Sequence, residues 1–202
     1  FTIFELMRAT GARVHLERLS SAAGVELVRQ AKAEGLPLTA DVSINSLHLT
    51  DMDIGYFNSA LRLTPPVRQQ RDRDALQAAL ADGTIDALVS DHNPIESDAK
   101  QLPFAEAEPG GSGVELLLSL ALKWGREQGL DLAKTLSPVT NAPVNVLGAA
   151  LGAHGLSAGR LVERGVAPLP KLAGVDIRQL ALTPSLDFAM IGAGGLMGIR
   201  VA

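Results

Sequence analysis

Hydrophobic positions along the chain follow two alternating spacings. Residues 12–20 and 37–43 place apolar side chains at every second position, which predicts β-strands, and 85–90 is a third short apolar run. Between these runs, apolar residues recur every three or four positions, which predicts helices over 21–34 and 73–81. Strands that alternate with helices indicate a parallel sheet, either a barrel or a doubly wound sheet.

The middle of the chain is less regular. After a polar loop, residues 60–63 are predicted to be a short extended segment that ends at Pro65-Pro66, since proline cannot continue a ladder. A long loop over 93–113 follows the third strand, and connections of that length usually have a functional role. Further helices are predicted over 114–124, 132–136 and 143–147, the first so rich in leucine that most of its circumference should be covered.

Composition narrows the class of protein. The 202 residues are 47% hydrophobic and 20% charged with a net charge of −4, which is typical of a globular domain and disfavours nucleic-acid binding. The absence of cysteine excludes disulfides and thiolate zinc sites, and no apolar run is long enough to span a membrane. We therefore expect a cytoplasmic protein, and the start at Phe1 rather than Met suggests a piece of a longer chain or a processed one.

Candidate chemistry centres on Asp91, which directly follows the third apolar strand and precedes His92 and a proline turn. A carboxylate at the end of a barrel strand is typical of an active-site rim. The other histidines are His15, His48 and His154, and none is placed in sequence to form a metal cluster with Asp91. Because Zn²⁺ requires three or four protein ligands, no metal site is expected within this chain.

Each histidine has a structural interpretation. His15 alternates out of phase with Arg18, so it is expected to pack between the sheet and a helix. His48 is expected at a core or surface position, although it could face the rim, and His154 in a glycine-rich loop. His92 is expected to hydrogen-bond the rim, because a lone imidazole has no nucleophile to activate.

Residues 9–165 resemble the C-terminal part of dihydroorotases, enzymes of the amidohydrolase superfamily. Residues 10–20 are similar to T-G-A-x-V-H-I-x-H-V-S, and five further segments follow in the family's order: 39–43 (T-A-E-V-T), 47–50 (L-x-L-T), 63–68 (V-N-P-P-L-R), 82–86 (D-G-T-I-D) and 90–95 (T-D-H-A-P-H). The ordered series is specific, although no single segment would be. The resemblance implies the C-terminal part of a metal-bearing (β/α)8 barrel of the TIM type, with strands six to eight and their helices.

The sequence also departs from the family at its functional positions. The resemblance assigns a metal-ligand histidine to the position of Arg18, and a guanidinium has no lone pair to donate. The substrate-binding positions hold Thr64 in place of asparagine and Ile95 in place of histidine, whereas His92 is retained. Asp91 is retained where the family uses it as metal ligand and general base, and the family's other ligands lie upstream. Arg18 is expected either to pair with Asp91 or to extend to solvent.

This pattern resembles non-catalytic dihydroorotase-like proteins that accompany aspartate carbamoyltransferase in some bacteria. The resemblance implies a structural partner in pyrimidine biosynthesis that has no cofactor and binds the transcarbamoylase or itself, since an open sheet edge at 12–20 needs a partner. The alternative is a zinc-dependent cyclic amidohydrolase of the dihydroorotase, hydantoinase or allantoinase type whose other ligands lie upstream. A third option is a module that binds a pyrimidine precursor without turnover.

The end of the chain matches the family poorly. Residues 1–150 are predicted to form the partial barrel, and 151–202 a divergent segment that is a candidate remnant of the family's small β domain. The glycine-rich stretch at 192–198 has no following helix, so it is not interpreted as a dinucleotide site.

Overall fold

The computed structural model describes residues 2–147 and the two short strands at 171–172 and 175–176. The chain divides into two compact units, Phe1–Val139 and Thr140–Ala202. The predicted division at residue 150 falls outside the described residues and stays a prediction.

The first unit is a parallel sheet with helices between its strands. Its strands lie in the order β1-β2-β3. The elements are α1 (Thr2–Thr10), β1 (Val14–Leu19), α2 (Ala22–Ala33), β2 (Leu38–Ser43), α3 (Ile44–His48), α4 (Gln70–Ala81), β3 (Ala87–Val89), α5 (Leu117–Glu127) and α6 (Leu132–Leu136). Short 3-10 helices cover Asp51–Ile54, Ser59–Leu61, Val114–Leu116 and Ser137–Val139. All three predicted strands are therefore confirmed, in a parallel arrangement.

Local sequence explains where the second helix begins and ends. Ser21 precedes α2 in extended conformation, and its side chain accepts a hydrogen bond from the backbone N–H of Gly24. Gly35 follows the helix with a φ of +80°, a conformation that glycine adopts without a steric cost. These residues fix the direction in which the chain leaves β1 and returns to β2.

The core lies between the sheet and the helices. On β2, the side chains of Leu38, Ala40 and Val42 point toward the helical layer, and those of Thr39, Asp41 and Ser43 lie on the opposite face. Two buried clusters fill the helical side. One contains Met7, Val28, Ala31, Leu38 and Ala40, and the other contains Val25, Val42, Ile44, Leu47, Leu76, Ala79, Leu80, Ile85, Leu88, Ala121 and Trp124.

Three expectations about this unit are wrong. The segment after β2 was expected to be a polar loop, but it contains α3, which the Ser43 side chain caps at the backbone N–H of Asn45. Residues 60–63 are not an extended segment, because Ser59–Leu61 forms a 3-10 turn. The leucine-rich helix is not covered around most of its circumference, since Leu116 and Leu118 are exposed.

The second unit contains α7 (Asn141–Leu147) and an antiparallel pair, β4 (Lys171–Leu172) with β5 (Val175–Asp176). The expectations for His154 and for the glycine-rich stretch at 192–198 concern positions outside the described residues. Within the described part of the chain, no helix combines the length and hydrophobicity that a membrane span needs.

Candidate functional site

The candidate site lies at the carboxyl ends of β1 and β3, the edge of a parallel sheet at which loops collect functional side chains. Arg18 comes from the end of β1, and Asp91 follows β3 by two residues. Both have left-handed backbone conformations, with φ of +53° and +49°. Residues other than glycine rarely adopt this conformation, and strained residues of this kind cluster at active sites and ligand clamps.

A break in the strand ladder sets the direction of Arg18. The β1–β2 register shifts between Leu16 and Leu19, so Arg18 sits within an irregular stretch. Its backbone N–H donates to the Asp41 carboxylate at 2.7 Å. Asp41 is buried on the neighbouring strand, and its side chain thereby takes the place of a missing strand partner.

The Arg18 side chain reaches Asp91. Its Nη1 lies 3.3 Å from Asp91 Oδ1 and also donates to the backbone carbonyl of Thr64 at 3.0 Å. The Asp91 side chain is 13% exposed and that of Arg18 is 40% exposed. This confirms the expected pairing and rejects the alternative in which Arg18 extends only to solvent.

The pair lines a cavity of about 250 Å³. Asn93, Gly110 and Gly111 form the wall opposite β1. The backbone N–H of Asn93 donates to the Gly111 carbonyl at 2.9 Å, and its side-chain amide donates to the Pro109 carbonyl at 3.1 Å. These two hydrogen bonds hold residues 109–111 of the long loop after β3 against Asn93.

His15 does not pack between the sheet and a helix, so that expectation is wrong. Its Nε2 lies 2.9 Å from Asp41 Oδ2, and its Nδ1 lies 2.8 Å from Thr39 Oγ1. Because a carboxylate only accepts, Nε2 of His15 donates in this contact. The left-handed backbone at Arg18 breaks the alternation, which is why counting along the strand failed.

His92 and Ile95 lie beside the cavity rather than on its wall. His92 Nδ1 accepts from the backbone N–H groups of Gly113 and Val114, at 3.2 and 3.4 Å. Ile95 is partly buried, and its side chain would lie 2.8 Å from a Cβ atom added at Gly110. Of the three positions expected to bind substrate, only Thr64 lines the cavity, and the hydrogen bond it provides there comes from its backbone. Substrate binding at these positions stays a prediction.

His48 is remote from this cavity. It is half-buried in α3, and its Nε2 lies 3.1 Å from the Leu120 carbonyl of α5. Burial lowers the pKa of His48, and the charge of Lys123 lowers it further. The structure therefore supports the core alternative and not a position on the rim.

Sequence reasoning missed Asp41 and Asn93. The alternation in β2 could have identified Asp41, since it lies on the face opposite Ala40 and Val42 and directly beside the strand that carries Arg18. Asn93 gave no such signal, because its contribution comes from the path of the long loop over 93–113.

The fold and this geometry can be compared with known proteins. No family model matches the chain. It is 44% identical to a dihydroorotase-like protein of Pseudomonas aeruginosa over 142 residues, which is 70% of this chain. It is 37% identical to a dihydroorotase of Syntrophobacter fumaroxidans over 147 residues, which is 73% of this chain. The chain spans 34% of the length of each relative. This chain belongs to the dihydroorotase family.

Solved structures of amidohydrolases agree with this assignment. An L-hydantoinase of Arthrobacter aurescens matches with a TM-score of 0.67 and 27% identity, over 73% of this chain and 34% of its own. A dihydroorotase of Saccharomyces cerevisiae in complex with 5-fluoroorotic acid matches with a TM-score of 0.63 over 71% of this chain and 41% of its own, at 17% identity, which shows the fold alone. The parallel sheet of this family member is therefore part of a TIM-type barrel.

Dihydroorotase and hydantoinase relatives are generally zinc-dependent, so the donor set of this chain can be tested against zinc. Within the described residues, no three His, Asp or Glu side chains converge in a way that would hold a metal ion. The resemblance predicts a ligand role for Asp91, and the carboxylate of this residue faces a guanidinium. The described residues therefore do not fit a zinc centre.

Proposed function

We propose that this chain is part of a dihydroorotase-like protein without hydrolase activity, which acts as a structural partner of aspartate carbamoyltransferase in cytoplasmic pyrimidine biosynthesis. The observation that carries the proposal is the contact between Arg18 and Asp91. A side chain that cannot ligate a metal stands where the family resemblance places a ligand.

The chemistry of the pair supports loss of activity. A guanidinium remains protonated at any physiological pH and presents only donors, so it cannot be a ligand. Its positive charge also satisfies the Asp91 carboxylate, which would otherwise be available to another cation. A divalent ion at this place would have to displace Arg18 and overcome its charge at about 3 Å.

The surface of the first unit supports an interaction role. β1 has β2 as its one neighbour among the described strands, which leaves the backbone groups of its other edge for a further strand. Leu116, at the end of the 3-10 helix before α5, and Leu118, in the first turn of α5, are both exposed. Such surfaces are suited to contacts with another chain, with a second copy, or with another part of the same protein.

Two measurements on the intact protein test the proposal. Hydrolysis of dihydroorotate is expected to be absent, with a zinc-containing dihydroorotase as the positive control. Sedimentation velocity of the purified protein mixed with purified aspartate carbamoyltransferase of the same organism is expected to show one faster complex. Dihydroorotate turnover contradicts the non-catalytic role, and independent sedimentation of the two proteins contradicts the partnership.

A second candidate is a cyclic amidohydrolase whose other metal ligands lie outside this chain. It is favoured by Asp91, which the fold places at the end of β3, and by the relatives named dihydroorotase and L-hydantoinase. For this candidate Arg18 would have to leave Asp91. Replacement of Arg18 by Gln should then raise turnover, whereas a structural partner remains inactive after the same change.

A further inference from the structure

A second cavity of about 240 Å³ lies on the other side of the segment that carries Thr64. It shares Leu63, Thr64 and Pro109 with the Arg18 cavity. Its remaining walls are apolar apart from one arginine. They are formed by Ile54, Leu61, Pro66, Val67 and Phe104, together with Arg62. Among the described residues, no acidic side chain lines it.

Arg62 is the unusual member of this wall. Its guanidinium carbon lies 5.8 Å from the centre of the Phe104 ring, a cation–π distance. Its Nε is buried and has no hydrogen-bond partner among the described residues. A buried donor without an acceptor is destabilising, so the described residues leave part of the hydrogen-bonding capacity of Arg62 unused.

The surroundings of Arg62 supply no counter-ion. Its carbonyl accepts from the backbone N–H of Gly110 and from Lys100 Nζ, at 2.9 and 3.0 Å, which fixes the backbone of the arginine. Burial lowers the pKa of Lys100, and the nearby Arg62 charge lowers it further, whereas the Glu108 charge acts in the opposite direction. Within the described part of the chain, no carboxylate forms an ion pair with either cation.

We propose that this cavity binds a small organic anion, a carboxylate carried on an apolar ring. The ring would contact the aliphatic and proline side chains and the edge of Phe104. The carboxylate would accept from Arg62, whose planar fork matches the geometry of two oxygens. The site is separate from the Arg18–Asp91 pair and independent of the proposed structural role.

The walls favour this class of ligand over others. Inorganic phosphate would leave apolar walls uncovered and gain a single cationic partner. An uncharged ring would cover the walls but leave the guanidinium without an acceptor. The cavity of about 240 Å³ accommodates one small ring and its substituent.

The binding of benzoate and of its neutral isostere benzamide to the intact protein, measured by NMR, distinguishes a charged ring ligand from an uncharged one. Benzoate is expected to bind saturably with a dissociation constant on the order of 1 mM, as a nine-atom ligand can. Benzamide should bind at least about tenfold more weakly, since it cannot form charge-assisted hydrogen bonds with the guanidinium. Contacts should appear between the benzoate ring and the side chains of Val67 and Phe104, and the Arg62 Nε–H resonance should shift.

Variants of Arg62 test whether this side chain binds the carboxylate. Arg62→Gln should weaken benzoate binding at least about tenfold, and Arg62→Lys should weaken it less, because lysine keeps the charge but not the fork. The matched control is Arg71→Gln, which removes the same charge from an exposed position in α4 and should leave affinity unchanged. Should Arg62→Gln not fold, the wild-type comparison of the two ligands and their ring contacts decides. Three results would overturn the proposal. They are equal affinities for benzoate and benzamide, contacts of the benzoate ring only with Asn93, which lines the Arg18 cavity, and no saturation by about 20 mM benzoate.

Discussion

Two neighbouring cavities hold an arginine each and differ in what the arginine meets. Arg18 faces Asp91 at 3.3 Å and a carbonyl at 3.0 Å, so its charge is satisfied within the protein. Arg62 faces an aromatic ring, and its Nε has no acceptor in the described structure. One wall, formed by Leu63, Thr64 and Pro109, separates the two environments.

The difference shows that an arginine side chain can have its hydrogen-bonding groups occupied in one cavity and partly unoccupied in the other. An arginine with its carboxylate in place occupies the position that a metal or a ligand would need. An arginine with a buried donor that has no acceptor is destabilising, and a ligand that supplies the acceptor removes this cost. The Arg18 cavity is therefore the less available of the two.

The largest effect is expected from a change in the loop that joins both cavities. Gly110 has a φ of +152°, and a Cβ there would lie 2.5 Å from the Asn93 carbonyl oxygen. Gly110→Ala should lower the free energy of unfolding by about 3 kcal/mol through backbone strain and overlap, as measured by urea denaturation.

Gly111→Ala is the matched control. A Cβ at Gly111 would meet the flexible end of Leu63 at 3.3 Å, and no positive φ is required there. This variant should stay within about 1 kcal/mol of the wild type. Equal stability of the two variants would mean that Gly110 does not hold the common wall.

A smaller effect is expected when the Arg18 cavity is made to resemble its neighbour. Asp91→Asn keeps the shape of the side chain but removes the charge that faces Arg18. The variant should bind a second equivalent of benzoate by NMR titration, while its stability changes by less than about 1 kcal/mol because the pair is partly exposed.

The added site should disappear in the double variant Arg18→Gln/Asp91→Asn. A single benzoate equivalent in Asp91→Asn, as in the wild type, would show that the missing counter-ion is not what distinguishes the cavities.

The smallest effect concerns Lys100. Burial and the Arg62 charge both lower its pKa, and burial is the larger cause. Arg62→Gln removes the second cause alone, so the pKa of Lys100 should rise while it remains below that of an exposed lysine. A titration followed at the lysine Cε resonance measures this, with Arg71→Gln as the control. An unchanged pKa would mean that the two cations do not interact.

Regular elements were predictable because their patterns are local. The alternation over 37–43 gave β2 to within one residue, and the spacing of Leu76, Ala79 and Leu80 gave the buried face of α4. The five residues of α3 were missed because so short a helix does not complete two turns, and its period cannot be read. Its cap at Ser43 was the one usable signal.

The site residues were predictable where the argument depended on residue type, and not where it depended on the path of the backbone. The pair of Arg18 and Asp91 was one of two alternatives that the sequence offered, because opposite charges at the carboxyl ends of strands in one sheet can satisfy each other. His15 was assigned to the wrong face, since the left-handed turn at Arg18 interrupts the alternation. The importance of Arg62 lies in the acceptors it lacks, a property of the folded molecule that no motif contains.

Zinc content is the most direct test of the claim that Arg18 replaces a metal ligand at Asp91. The intact protein, purified without chelator and dialysed against zinc, should retain less than about 0.1 equivalent by mass spectrometry. Its Asp91→Asn variant should give the same value. About one equivalent of zinc in the wild type that is lost in Asp91→Asn would contradict the account, because it would place a metal on the carboxylate that Arg18 is said to occupy.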